Sequence, residues 1–298
     1  MIFATTSCAV FGSHARGNID AISDFDVLVV SPSENIGRIY ADKNYPSNDS
    51  VSIYTWSRFD RMCAERSLFV QHLKLEAKIL RDPNDKLKGV LERFTPYNDY
   101  TYDIEKTRKF LNLLSDVPHD QHGLGWATDI VAIVARNVGI ARLANEGRYV
   151  FSWSDLADEL VKVGCIEKNE RHLISEMRFL KKQYRSQGKV LVAVEKITEL
   201  ILFAQRLSGV EFTPQITSRG KLDPVDVNEG WNPYSRAKLI ERDLFSLRPV
   251  VNSNREEFVY LRTELRRGII CPSRYLWQFK NDRSGLSKKF SRLRTIAE

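Results

Sequence analysis

Two carboxylates stand two residues apart, Asp24 and Asp26, at the head of a hydrophobic run, Val27-Leu28-Val29-Val30. On a β-strand the side chains at i and i+2 share a face, so the spacing predicts both acids on one side, with Phe25 and Val27 toward the core. Neighbouring carboxylates repel unless a cation sits between them, which makes such a pair costly to keep for structure alone. Hard oxygen ligands favour magnesium. Upstream stands Ser13, preceded by Gly12, which lets the backbone come close to a ligand. The amides and hydroxyl there can cradle an anion at the start of a helix. Phosphate on one side and metal-binding acids on the other describe a nucleoside triphosphate site. The bland reading of the acids, a solvated turn ahead of a strand, fits poorly with the Gly12-Ser13 pair. No Gly-Lys-Ser/Thr follows, so this is not a P-loop.

The elements that must position these residues come next. Ser7 to Phe11 is a short apolar run, Gly12 to Ser23 is small and polar, and Phe25 to Val30 is a continuous strand-like run ended by Pro32. Asn44, Pro46, Ser47 and Asn48 mark a loop before a third strand, Val51 to Trp56. A helix from Ser57 to His72 or beyond carries Phe59, Met62, Cys63, Leu68, Phe69 and Leu73 on one face. From Tyr100 onward the apolar period is helical, with Trp126, Ile130, Ile133, Val134, Val138 and Ala141 at three- and four-residue steps, until Gly147 stops the pattern. Ser154 reads as the N-cap of a helix over Leu156 to Val163, and further helices are predicted for Glu170 to Tyr184 and Val190 to Leu207. Past Ser208-Gly209, prolines and glycines punctuate a connector in which only Arg236 to Leu247 and Arg255 to Arg267 look helical. The expected architecture is an α/β (α+β) domain with a small mixed sheet over 1–95, an all-helical bundle over 96–208, and a loop-rich basic C-terminal region over 209–298.

The chain has 298 residues and a net charge of +7. From Arg255 to Glu298 there are 11 Lys/Arg against 5 acids, so 6 of the 7 excess positive charges lie there. These cations are interleaved with Tyr260, Tyr275, Trp277, Phe279 and Phe290, a pattern suited to phosphate contact with base stacking and represented by Arg274 and Tyr275 as candidate contacts. A packing arm closing over the cleft, or over a dimer partner, is the competing reading. A second basic run, Arg178 to Lys189 with Lys182 inside it, is either a solvated face or an acceptor contact. Cys8, Cys63, Cys165 and Cys271 form no C-x-x-C pair, and reduced thiols are expected. His119 and His122 resemble half a metal site but read as loop surface. His72, four residues before Glu76, reads as a packing hydrogen bond. The apolar stretch Ile130 to Ala135 is closed by Asp129 and Arg136, so no membrane contact is expected. Met1 to Val10 has no basic residue, so a signal peptide is not expected and a cytosolic location is.

Phe11-Gly12-Ser13 and Asp24-Phe25-Asp26, with ten residues between them, resemble the DNA polymerase β-like nucleotidyltransferase superfamily; Ala15-Arg16-Gly17 extends the likeness toward its bacterial branches. The resemblance implies two Mg²⁺ ions, with Mn²⁺ as a substitute, held by Asp24 and Asp26. It implies Ser13 and the following amides on the β- and γ-phosphates, and Arg16 neutralising the leaving group. A third acid is expected on a later strand. There this sequence has Ser52, leaving Glu76, and behind it Asp49, as candidates. The implied reaction moves a nucleoside monophosphate to a hydroxyl and releases pyrophosphate. The basic C-terminal stretch argues against a cationic aminoglycoside acceptor. It suits the antiphage-defence members that build nucleotide oligomers, some starting on their own tyrosine. A protein- or tRNA-modifying enzyme of toxin-antitoxin type is the alternative, and a catalytically impaired nucleic-acid-binding module the second. A homo-oligomer is compatible with all three.

Overall fold

The structure, a computed structural model, describes residues 5–41, 51–211, 213–217, 233–242, 258 and 262. Asp49, Tyr260, Arg274, Tyr275, Trp277, Phe279 and Phe290 lie outside the described residues. The chain forms two compact units that interleave along the sequence: one comprises Met1–Arg108, Ile133–Phe179 and Leu207–Gly209, the other Lys109–Ala132, Leu180–Arg206 and Val210–Glu298.

The first unit is built on a four-stranded sheet in the order β3-β2-β1-β4. The strands are β1 (Ser7–Phe11), β2 (Asp26–Ser31), β3 (Val51–Thr55) and β4 (Lys78–Arg81). β1 runs antiparallel to β2 and β4, and β3 runs parallel to β2, so the sheet is mixed. The small helix α1 (Gly12–Arg16) follows β1 directly, and α2 (Ser33–Ala41) follows β2. Ala9, Phe11, Leu28 and Val30 from the sheet meet Trp56, Phe59, Met62, Val70 and Leu73 in one buried cluster. These last five come from α3 (Trp56–Ala64) and α4 (Leu68–Glu76).

The single helix predicted from Ser57 is thus two. Arg66 takes a left-handed turn, φ 50°, and the Ser67 hydroxyl accepts the Phe69 N–H at 3.2 Å, capping a new helix instead of continuing the old one. β4 was not foreseen: it has only Ile79 and Leu80 between two cations, and every residue of this edge strand is exposed. The first unit continues through α5 (Lys86–Arg93), α6 (Thr101–Arg108), the later part of α7 (Gln121–Asn145), α8 (Trp153–Lys162) and the first part of α9 (Arg171–Gln187). Ser152 caps α8, accepting the Asp155 N–H at 3.1 Å, so the helix starts ahead of the predicted Ser154. Tyr100 ties α7 in: its N–H reaches Asn145 Oδ1 at 2.6 Å and its hydroxyl donates to the Arg66 carbonyl at 3.2 Å.

In the second unit a short strand β5 (Asp116–Pro118) pairs in parallel with β6 (Gln215–Thr217), so the middle of the chain is not wholly helical. α10 (Val194–Ser208) and α11 (Pro233–Arg242) complete the described elements. α7 is long and apolar enough by composition to cross a membrane, more so than its sequence suggested, yet 83% of its most apolar window is buried inside the protein. It is a core helix.

Candidate active site

The register of β1 against β2 places Phe11 opposite Asp26. The next residue, Gly12, is held at φ +72°, and a Cβ built on it would lie 2.7 Å from Asp26 Oδ2. Glycine is required there twice over, by its backbone conformation and by the carboxylate packed against its α-carbon. Gly12 and Asp26, 14 residues apart in the sequence, thus pack directly against each other. α1 then runs for only 5 residues and closes on Gly17 at φ 80°. So short a helix contributes little dipole, and any anion binding falls to the amides and the Ser13 hydroxyl rather than to the helix field expected from sequence.

β2 begins at Asp26, not at Phe25. Asp26 is half-buried, Asp24 is exposed, and both precede or open the strand rather than alternate along it. Phe25 was predicted to face the core. It is 49% exposed, and its ring packs edge-on against His14 at 4.8 Å. The strand alternation could not be counted through a residue that lies outside the strand.

Behind the acids lies a chain of charges. Arg16 pairs with Glu76 Oε2, and the same oxygen accepts from His72 Nε2 at 2.8 Å. A carboxylate can only accept, so His72 is the donor in this bond. Burial drives the His72 pKa down, although Glu76 opposes the shift, and the ring therefore stays neutral. Burial alone would raise the pKa of Glu76, but His72 and Arg16 override it and hold the carboxyl below its usual range. The His72 ring meets Phe11 edge-on at 5.4 Å and stacks on Phe151 at 4.3 Å. Phe151 also accepts a hydrogen bond through its carbonyl, 2.9 Å from Arg136 Nη2. Burial pulls the Arg136 guanidinium below its ordinary pKa, while Asp26 and Glu76 both attract it and support its charge. One cation from α7 therefore lies in the field of the acidic strand and of Glu76.

The loop between α1 and β2 is held from α9. Arg178 grips Asp20 through both nitrogens, Nη1 to Oδ2 at 2.6 Å and Nη2 to Oδ1 at 3.0 Å. Asp20 also accepts the Ile22 N–H at 3.2 Å and the Ser23 hydroxyl at 2.7 Å. The Arg178 bond holds the Asp20 carboxyl at a pKa of about 2.

Sequence reasoning brought Gly12, Ser13, Arg16, Asp24, Asp26 and Glu76 into view, and the fold gathers them in one unit. It missed Arg136 and treated Arg178 only as part of a basic run. A lone arginine closing the apolar stretch 130–135 was the available signal for Arg136, because a charge on a buried helix needs a partner. Lys182 is half-buried on α9 within the second unit. His122 Nδ1 bonds the Gly188 carbonyl, and its backbone N–H is capped by Asp120 at 2.9 Å, which gives it a structural task.

Among the described residues no group of three or more His, Cys, Asp or Glu is arranged to enclose a metal. The two-carboxylate edge at 24 and 26 nevertheless fits a hard divalent cation. Its donors are oxygens, and the exposure of Asp24 leaves room for water and phosphate to complete the shell. The missing Cβ of Gly12 keeps backbone close to the Asp26 carboxylate.

A mixed sheet with a Gly-Ser turn packed against an acidic strand defines a nucleotide-handling α/β domain. Residues 3–122 match the nucleotidyltransferase domain family, of the polymerase β-like superfamily. The chain therefore carries a nucleotidyltransferase domain, and the protein is an enzyme that transfers a nucleoside monophosphate. A comparison with curated proteins returned no match.

Proposed function

We propose that the protein transfers a nucleoside monophosphate from a nucleoside triphosphate to a hydroxyl acceptor with Mg²⁺, Asp24 and Asp26 being the metal ligands. The observation that carries the reading is the contact of Gly12 with Asp26, which puts a phosphate turn and a carboxylate within one contact of each other. Bound there, the metal would neutralise charge on the phosphates and lower the pKa of the acceptor hydroxyl. Ser13 and the neighbouring amides bind the β- and γ-phosphates. Arg16, oriented by Glu76 and His72, and Arg136, oriented by the Phe151 carbonyl, supply positive charge where pyrophosphate departs. In this scheme Glu76, the sequence candidate for the third acid, acts through Arg16, because both of its mapped partners are donors on one oxygen.

The acceptor we propose is a growing nucleotide chain of the kind made in antiphage defence. The support is compositional: the cationic, aromatic stretch from Arg255 to Glu298, with Arg274 and Tyr275 as contacts and a tyrosine as an internal primer. Purified protein incubated with Mg²⁺ and each labelled triphosphate tests both levels. A ladder of products supports the oligomer reading. Label on added RNA or on a second protein replaces it with the modifying alternative, and no product from any triphosphate refutes the transfer scheme at this site.

A further inference from the structure

We infer that Arg178 is a positioning residue for nucleotidyl transfer: by gripping Asp20 it fixes the loop that delivers Asp24 and Asp26 to the metal. The inference rests on the reading of those two acids as metal ligands.

The loop 17–25 joins the phosphate turn to the acidic strand, and Asp20 is its organiser. Asp20 Oδ1 accepts from the Ile22 N–H and the Ser23 hydroxyl, the Ser23 N–H returns to the Asp20 carbonyl at 3.0 Å, and the Asp20 N–H reaches the Ser23 hydroxyl at 3.1 Å. Ser23 immediately precedes Asp24. The apolar side chains of this loop do little to pin it, since Ile19 is 59% exposed and Phe25 49%, so a hold from a neighbouring element matters. Arg178 provides one. Its fork takes both carboxylate oxygens, and Nη2 also lies 3.5 Å from the Ser23 hydroxyl. A planar fork on a planar carboxylate fixes orientation as well as distance, which a lysine cannot do.

The same geometry separates a positioning role from a stabilising one. Asp20 is half exposed, and an ion pair so open to water adds little to global stability. Loosening the groups that hold a metal ligand in place, by contrast, typically costs about 10- to 100-fold in metal affinity. Loss of Arg178 should therefore be visible in metal binding and nearly silent in melting.

The experiment measures free Mn²⁺ by electron paramagnetic resonance, with full-length protein and a non-hydrolysable α,β-methylene nucleoside triphosphate. Arg178→Gln is expected to weaken Mn²⁺ binding about tenfold, with the melting temperature unchanged, and Arg178→Lys to fall between it and the parent. Asp20→Asn keeps the local turn and loses the charged grip. It should weaken binding to the same degree, and the double variant should be no worse than either single one, since both delete one interaction. Additive losses, or Mn²⁺ binding by Arg178→Gln and Arg178→Lys equal to that of the parent, overturn the inference. Asp26→Asn tests the underlying site separately. If it binds Mn²⁺ normally, the metal reading itself fails. If it loses Mn²⁺ while Arg178→Gln keeps it, the site stands and the Arg178 role falls.

Discussion

The two units each hold a cluster of charged side chains, and the clusters have opposite designs. In the second unit Asp129 and Glu241 are fully buried with Lys238 and Arg262. Lys238 Nζ bridges the two acids, lying 2.8 Å from Glu241; Arg185 reaches Asp129 at 2.8 Å and Arg262 reaches Glu241 at 3.3 Å. Tyr184 adds its hydroxyl to Glu241 at 2.8 Å. Burial alone would raise the Asp129 pKa, but the surrounding cations force it well below the usual range. In the first unit Asp24 is exposed and Asp26 half-buried, so water reaches this edge. The same residue types are closed and balanced in one unit and left open, as the proposed metal ligands, in the other.

The contrast sets the order of the tests. Asp26→Asn should lower the transfer rate by about 10³-fold, the several kcal/mol a metal contributes to the transition state, while the melting temperature holds or rises. A melt and a labelled-triphosphate assay on one preparation check both halves. Asp129→Ala should do the reverse, leaving buried cations uncompensated at a cost of about 3–5 kcal/mol and lowering the denaturant midpoint, with activity per folded molecule retained. An Asp129→Ala protein that melts like the parent would erase the distinction between the clusters. Gly12→Ala sits between the two designs. Its positive φ costs about 1–2 kcal/mol, and its methyl meets Asp26 Oδ2, so stability and rate should both fall, the latter more than tenfold. Glu76→Gln should leave Arg16 without its charged partner and reduce the rate about tenfold, with a smaller change in the triphosphate KM; a melting curve distinguishes this from unfolding. The smallest effect belongs to the Asp20 carboxyl. Its folded pKa of about 2 lies below the ordinary 3.8, so the pair with Arg178 contributes at pH above about 4 and is lost as pH falls toward 2. Carbon NMR of Asp20 should show that midpoint, and Arg178→Gln should return it to the ordinary range.

The family motif was legible because its residues are close in sequence, and residues 3–122 match the nucleotidyltransferase domain family. Gly12 and Asp26 report their contact only through register, yet a strand, a turn and a strand suffice to predict it. Phe25 misled because a period of two was extended one residue beyond where the strand begins. The break at Arg66 was hidden since Ser67 caps only once the chain has turned. Arg136, Phe151 and Arg178 were illegible for another reason. Each meets a residue at least 60 positions away: Phe151 stacks on His72, Arg136 lies in the field of Asp26 and Glu76, and Arg178 grips Asp20. No local pattern encodes such a pairing. The buried network was equally silent, since Asp129 and Lys238 stand 109 residues apart.

The span that matches the nucleotidyltransferase domain family stops at residue 122, the second residue of α7, whereas the unit housing the Gly-Ser turn also draws on 133–179. A fragment trimmed to the homologous span would keep every motif residue and discard the stack beneath His72, the guanidinium beside Asp26 and the grip on Asp20. Such a fragment would carry the family's motif without the residues that pack and pair behind it.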